Sequence, residues 1–139
     1  MITHRLADLA ALRSARRASA RDIFNRLLLE QFYVTNPREL EEVVRAAQHE
    51  EFVYEHLLGE PMPRQLRSAL LAEVRAWEAF YDVLVRPPVP EEDYGVLCSR
   101  LRPRALALMD LLDVEIEMLT NPLVRYYERW LQNYAESSR

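Results

Sequence analysis

Lysine is missing altogether: all 18 basic residues of this 139-residue chain are arginine. A lysine Schiff base and the lysine of a phosphate-binding loop are therefore excluded. Glycine occurs only at Gly59 and Gly95, too seldom for a glycine-rich phosphate cradle. The single cysteine, Cys98, rules out an internal disulfide and reads as a small buried hydrophobe. Long apolar runs are lacking as well. Leu27-Leu28-Leu29 is typical, whereas a bilayer span needs roughly 18 residues or more. His4, Arg5 and Asp8 interrupt the N-terminal apolar residues, so this stretch does not read as a signal peptide. No membrane insertion and a cytoplasmic location are the expectations. Strand signals are also absent: there is no sustained alternation and no Asn-Gly or Asp-Gly turn.

Half of the residues are hydrophobic, and the length suits one domain over 1–139 with a real core. The net charge of −4 argues against a general nucleic-acid binder. The charge is uneven. Residues 1–26 hold six Arg against two Asp, and residues 27–60 hold eight Glu against two Arg. Two helices lying side by side with complementary faces would explain this. A basic arm around Arg13, Arg16 and Arg17 that reaches an acidic partner is the alternative.

Gly59 and the eight prolines cut the chain into helical lengths. Thr35-Asn36-Pro37 is a stop and restart: Asn36 suits an N-cap, Pro37 the first helical position, and Glu39 completes a capping box. Thr120-Asn121-Pro122 repeats the device. Gly59, Pro61 and Pro63 end the second helix, and Pro87-Pro88-Val89-Pro90 the third. Glu91, Glu92 and Asp93 then favour a helix start. The pattern predicts helices over about 5–34, 37–58, 64–86, 91–119 and 122–136. The first is weak in its middle, where RSARRASAR lacks large apolar residues. Pro103 is expected to kink or interrupt the fourth. The fold class is all-α: an antiparallel up-down four-helix bundle with an additional C-terminal helix.

Candidate chemistry is sparse. Glu51, Glu73 and Glu115 fall on or beside the apolar stripes of three helices, which invites a metal-binding reading. Counting from the loops puts Glu51 and Glu73 in one layer and Glu115 about 13 Å away. There is no Glu-x-x-His, so the expectation is no metal and no other cofactor. Glu51 and Glu73 are instead expected to bond to buried Arg or Tyr. His49 and His56 share an outward face with Phe52, and their spacing is too wide for one metal. No nucleophile elbow is present. The last predicted helix carries Tyr126, Tyr127, Trp130 and Tyr134, with Arg125 and Arg129 between them. These are residue types that binding hot spots favour. They are the leading interaction candidates, and Arg13, Arg16, Arg17, His49, Phe52 and His56 are secondary ones.

Three stretches carry a family resemblance over about 100 residues. FYVTNPRELEEVVRAA resembles the first interhelical turn of the four-helix-bundle sensory domains of bacterial chemoreceptors, histidine kinases and diguanylate cyclases. LLAEVRAWEAFYDVLVR is similar to their third helix. ALALMDLLDVEIEML is similar to their fourth, with Met109-Asp110 at the matching place. The chain lacks their glycine-rich form of the turn and their membrane helices. The resemblance implies a small sensing or signal-relaying bundle. The expected function is thus a non-enzymatic module that senses or relays a signal through a protein partner or homodimer. The alternatives are a small-ligand or metal-binding bundle centred on Glu51 and Glu73, and an adaptor or inhibitor that uses the basic arm.

Overall fold

The computed structural model describes residues 2–31, 37–84 and 91–121. All of the regular structure in them is helical: α1 (Ile2–Leu28), α2 (Pro37–Leu58), α3 (Arg64–Leu84) and α4 (Glu91–Thr120). The four helices pack together as a bundle. α1 packs most extensively on α4 and α2 on α3, whereas α1 and α2 meet only slightly. No helix among the described residues is long and apolar enough to cross a membrane.

α1, α3 and α4 each turn a seam with alternating three- and four-residue spacing to the interior, and α2 buries Leu40, Val44, Ala47, Glu50 and Tyr54. In α1 the seam runs Leu9, Arg13, Arg16, Ala20, Ile23, Leu27; in α3, Leu66, Leu70, Glu73, Trp77, Phe80; in α4, Leu101, Ala105, Leu108, Leu112, Glu115, Leu119. Such seams let helices interdigitate at a shallow angle. The buried apolar residues fall into two clusters. The smaller joins Leu9 near the start of α1, Tyr54 near the end of α2, Leu66 and Leu70 early in α3, and Leu119 at the end of α4. The larger joins Ile23 and Leu27, Leu40 and Val44, Trp77 and Phe80, and Cys98 and Leu101. Between the two clusters the seams carry charges instead of apolar groups.

Three expectations about the helices change. α1 ends at Leu28 rather than near 34, because Glu30 adopts a left-handed φ of 54°. The Gln31 amide then donates to the Arg26 carbonyl (2.9 Å) and the Glu30 amide to the Leu27 carbonyl (3.3 Å), a Schellman closure with glutamate in glycine's usual place. Arg102 from α4 completes it, with Nε and an Nη donating to the Leu27 carbonyl at 3.1 and 3.0 Å. The middle of α1 does not divide, because Arg13 and Arg16 take the seam positions that large apolar residues would fill. Of the kink or interruption expected at Pro103, the interruption is absent: α4 runs unbroken through it with the ring exposed. The start of α2 at Pro37 and its end before Gly59, at φ 67°, are as the sequence reads. The predicted helix over about 122–136 lies outside the described residues.

A glutamate in the left-handed region carries a backbone cost of about 1–2 kcal/mol that glycine escapes. Its carboxylate gives little back: it is half exposed and 3.7 Å from Arg102. Glu30→Gly is therefore expected to stabilise the protein by about 1 kcal/mol, read as a rise of about 2–4 °C in thermal melting.

Candidate functional site

The feature with chemical content is the charged layer between the two apolar clusters. Arg13 and Arg16 enter from α1, Glu50 from α2, Glu73 from α3 and Glu115 from α4, and each is at most 3% exposed. Arg16 is well bonded. Its Nε and an Nη donate to the two Glu73 oxygens (2.5 and 2.9 Å), and the same Nη donates to Glu50 (2.7 Å). Trp77 adds an indole N–H to Glu73 at 2.8 Å. Arg13 forms ion pairs with Glu50 and, at 2.7 Å, with Glu115. Its N–H bonds are not aligned on those oxygens, so charge rather than hydrogen bonding holds it.

Two guanidinium groups face three carboxyl groups, and protonation settles the mismatch. Burial pushes the Glu115 carboxyl up to about 9. Arg13 opposes the rise, and the neighbouring charge of Glu73 adds to it. Glu73 goes the other way: burial disfavours its charge, but Arg16 outweighs that, and hydrogen bonds from Glu115 and Trp77 help to hold it below the ordinary carboxylate range. For Arg16, too, burial works against the charge, and Glu73 and Glu50 more than reverse it. Burial beside Glu73 thus favours the neutral form of Glu115, while Arg16 favours the charged form of Glu73. Two cations then balance two anions in a dry interior, the condition under which buried charges are tolerated.

The sequence reading of the acidic residues needs correction. The buried residue of α2 is Glu50; Glu51, one 100° step round the helix, pairs with Arg67 of α3 at 2.6 Å in partial exposure. Glu115 is not a layer away from Glu73 but beside it. α4 is longer than α3, at 30 residues against 21. Glu73 lies nine residues after Arg64, and Glu115 five before Thr120, so most of the surplus lies toward the α3–α4 joint. Counting from that joint therefore misplaces the layer. The expected bond from Glu73 to a buried arginine is present. Among the described residues, no group of three or more His, Cys, Asp or Glu side chains is arranged to hold a metal. Guanidinium groups pair with the three carboxyls instead.

The basic arm is corrected too. Arg13 and Arg16 face inward, because they sit on the core seam, and neither is available to an acidic partner. Arg17 lies at the surface and bonds to both Asp113 oxygens of α4 (2.7 and 3.3 Å). Phe52 is 67% exposed and stacks on His56 with ring centroids 6.2 Å apart, on the outward face expected for both. His49 lines the groove between α1 and α2. Cys98 is buried in the larger apolar cluster, and burial pushes its thiol up, away from the reactive thiolate. Arg125, Tyr126, Tyr127, Arg129, Trp130 and Tyr134 lie outside the described residues. No protein-family model matches the chain, and neither a curated protein nor a solved structure matches it.

Two predictions follow from the charged layer. Arg16→Ala leaves Glu50 and Glu73 without their main cation and is expected to cost about 3–5 kcal/mol in urea unfolding. The second concerns pH. The unfolded Glu115 ionises near 4.5 and the folded one near 9, so between these values the folded protein binds more protons. The contribution of this site to stability therefore falls as pH rises through that window. Glu73 has the opposite sign, and its contribution is lost on acidification. Urea unfolding should show wild-type stability declining between about pH 6 and about pH 9, with the decline absent in Glu115→Gln.

Proposed function

We propose that this chain is a non-enzymatic helical-bundle module that senses or relays a signal through protein–protein interaction, working as a dimer in the cytoplasm. We read its four helices as an antiparallel up-down bundle forming one domain, with residues 122–136 as a further element. The observation that carries the reading is the arrangement of the charged layer. α1 supplies both cations, and each other helix supplies one carboxyl. A displacement of α1 must therefore re-pair charges on three neighbours at once. A packed interior of this kind favours discrete arrangements over continuous deformation, as a relay requires. The carboxyls are engaged by guanidinium groups and shielded from solvent, which speaks for a structural rather than a catalytic use. The sequence resemblance of FYVTNPRELEEVVRAA to the first turn of the sensory domains is the remaining support.

We assign the dimer contact to the aromatic segment with Tyr126, Tyr127, Trp130 and Tyr134, flanked by Arg125 and Arg129. Aromatic side chains bury on the order of 150–250 Å² each at such contacts. Light scattering after size exclusion is expected to show a wild-type dimer that Trp130→Ala weakens. A wild-type protein that is monomeric at all concentrations would remove the dimer. Native mass spectrometry of the same sample addresses the competing class: a retained metal ion or small molecule would favour the ligand-binding alternative.

A further inference from the structure

Two seams of the bundle that are open among the described residues differ in charge. Between α3 and α4 lies a cavity of about 390 Å³ walled by Ala72, Ala76, Ala79 and Ala107. Its charged lining residues are Arg75 and Arg104, one from each helix. Between α1 and α2, which meet only slightly, lies a larger one of about 530 Å³. It continues along the same two helices into a second cavity of about 270 Å³ that shares Ser19, Glu39 and Val43 with it.

The α1–α2 groove has the make-up of a docking surface. Its apolar lining includes Leu12, 44% exposed, with Val43 and Val53 from α2. Ala15, Ser19 and Ala46 are small, so a partner's backbone can approach closely. Glu39 and Glu42 line it, both exposed, and neither has an ion-pair partner among the described residues. The arginine in its lining, Arg16, is already neutralised by Glu50 and Glu73. From Glu39 to Val53 the groove follows α2 for about 21 Å, the length of a helix of about 14 residues.

We propose that the α1–α2 groove docks a basic amphipathic helix of a partner protein, apolar face down, with its cations on Glu39 and Glu42. The proposal rests on the interaction reading above and names the partner's chemistry. Helix-in-groove recognition takes its affinity from apolar anchors, and unpaired charges on the lips select the sign of the partner. The charge of the lining separates this seam from α3–α4, whose arginines would reject the same helix. Arg16 and Glu50 are both floor of the groove and members of the charged layer, so an occupant of the groove bears directly on the residues that tie α1 to the other helices.

The test uses the full chain and a fluorescently labelled synthetic helix of about 18 residues, leucine on one face and arginine on the other. Fluorescence anisotropy is expected to show binding that weakens with salt. The Glu39→Gln/Glu42→Gln double variant should weaken it about 10-fold or more. Ala46→Arg, at an exposed lining position, should abolish it, and circular dichroism should show both variants folded with wild-type melting. A scrambled peptide of the same composition should not bind. No binding overturns the proposal, as does binding unchanged by Ala46→Arg or equal binding of a peptide with glutamate in place of arginine. If the peptide fails while light scattering still shows the Trp130-dependent dimer, the groove is removed and the interaction reading stands. If both fail, both are removed.

Discussion

The interior of this protein is organised by a single ionic layer. Arg13 and Arg16 reach from α1 toward carboxyls on all three other helices, and the apolar residues lie in clusters on either side. A layer of this kind adds little stability by itself. Desolvating charged groups costs several kcal/mol each, and the attraction between them does little more than offset that. Its physical consequence is register. Leucine seams tolerate sliding by a heptad with modest loss, because one apolar contact replaces another. Here any slide moves two guanidinium groups away from their carboxyls and into an apolar cluster, which is far more costly than a misplaced leucine.

The same layer explains why the bundle coheres across its weak seams. α1 leans on α4 and α2 on α3, so apolar packing alone would give two helix pairs with limited contact between them. The α1–α2 and α1–α3 connections include the bonds of Arg16 to Glu50 and Glu73. Trp77 fixes the rotamer of Glu73 from one turn away and packs against Phe80, ring centroids 6.5 Å apart, in the larger cluster. The layer is thereby anchored to apolar packing rather than suspended between the clusters.

Much of the helix pattern was legible in the sequence, because it depends on local chemistry. Pro37 and Gly59 bound α2 where their backbone preferences place them. Two kinds of feature were not legible. The end of α1 is set by Glu30 in a conformation that glutamate rarely adopts, assisted by Arg102 from a distant helix. The charged layer was hidden by residue type. RSARRASAR reads as a gap in an apolar stripe when only hydrophobes are counted. The spacing of Leu9, Arg13, Arg16, Ala20 and Ile23 is nevertheless an uninterrupted seam. Spacing independent of residue class would have pointed to Arg13 and Arg16, but on α2 the same alternation runs Leu40, Val44, Ala47, Glu51, Tyr54, so it picks Glu51 and the burial of Glu50 was not legible from spacing.

The proton on Glu115 links this architecture to any change of helix position. Its carboxyl stays neutral because it is buried beside Glu73 and close to Glu50, and Arg13 only partly compensates. Arg13 is also the member held without aligned hydrogen bonds, and so the one with most to gain from a new geometry. If α1 shifts so that Arg13 bonds Glu115 squarely, the carboxylate is favoured and the proton leaves. If it shifts toward Glu50, Glu115 keeps its proton more firmly. The geometry of Arg13 on Glu115 and the proton on Glu115 are therefore linked, so that a closer seat for Arg13 favours the carboxylate. The helix that supplies both cations is also one wall of the α1–α2 groove, so a charge or an occupant there acts on the element that holds the interior together.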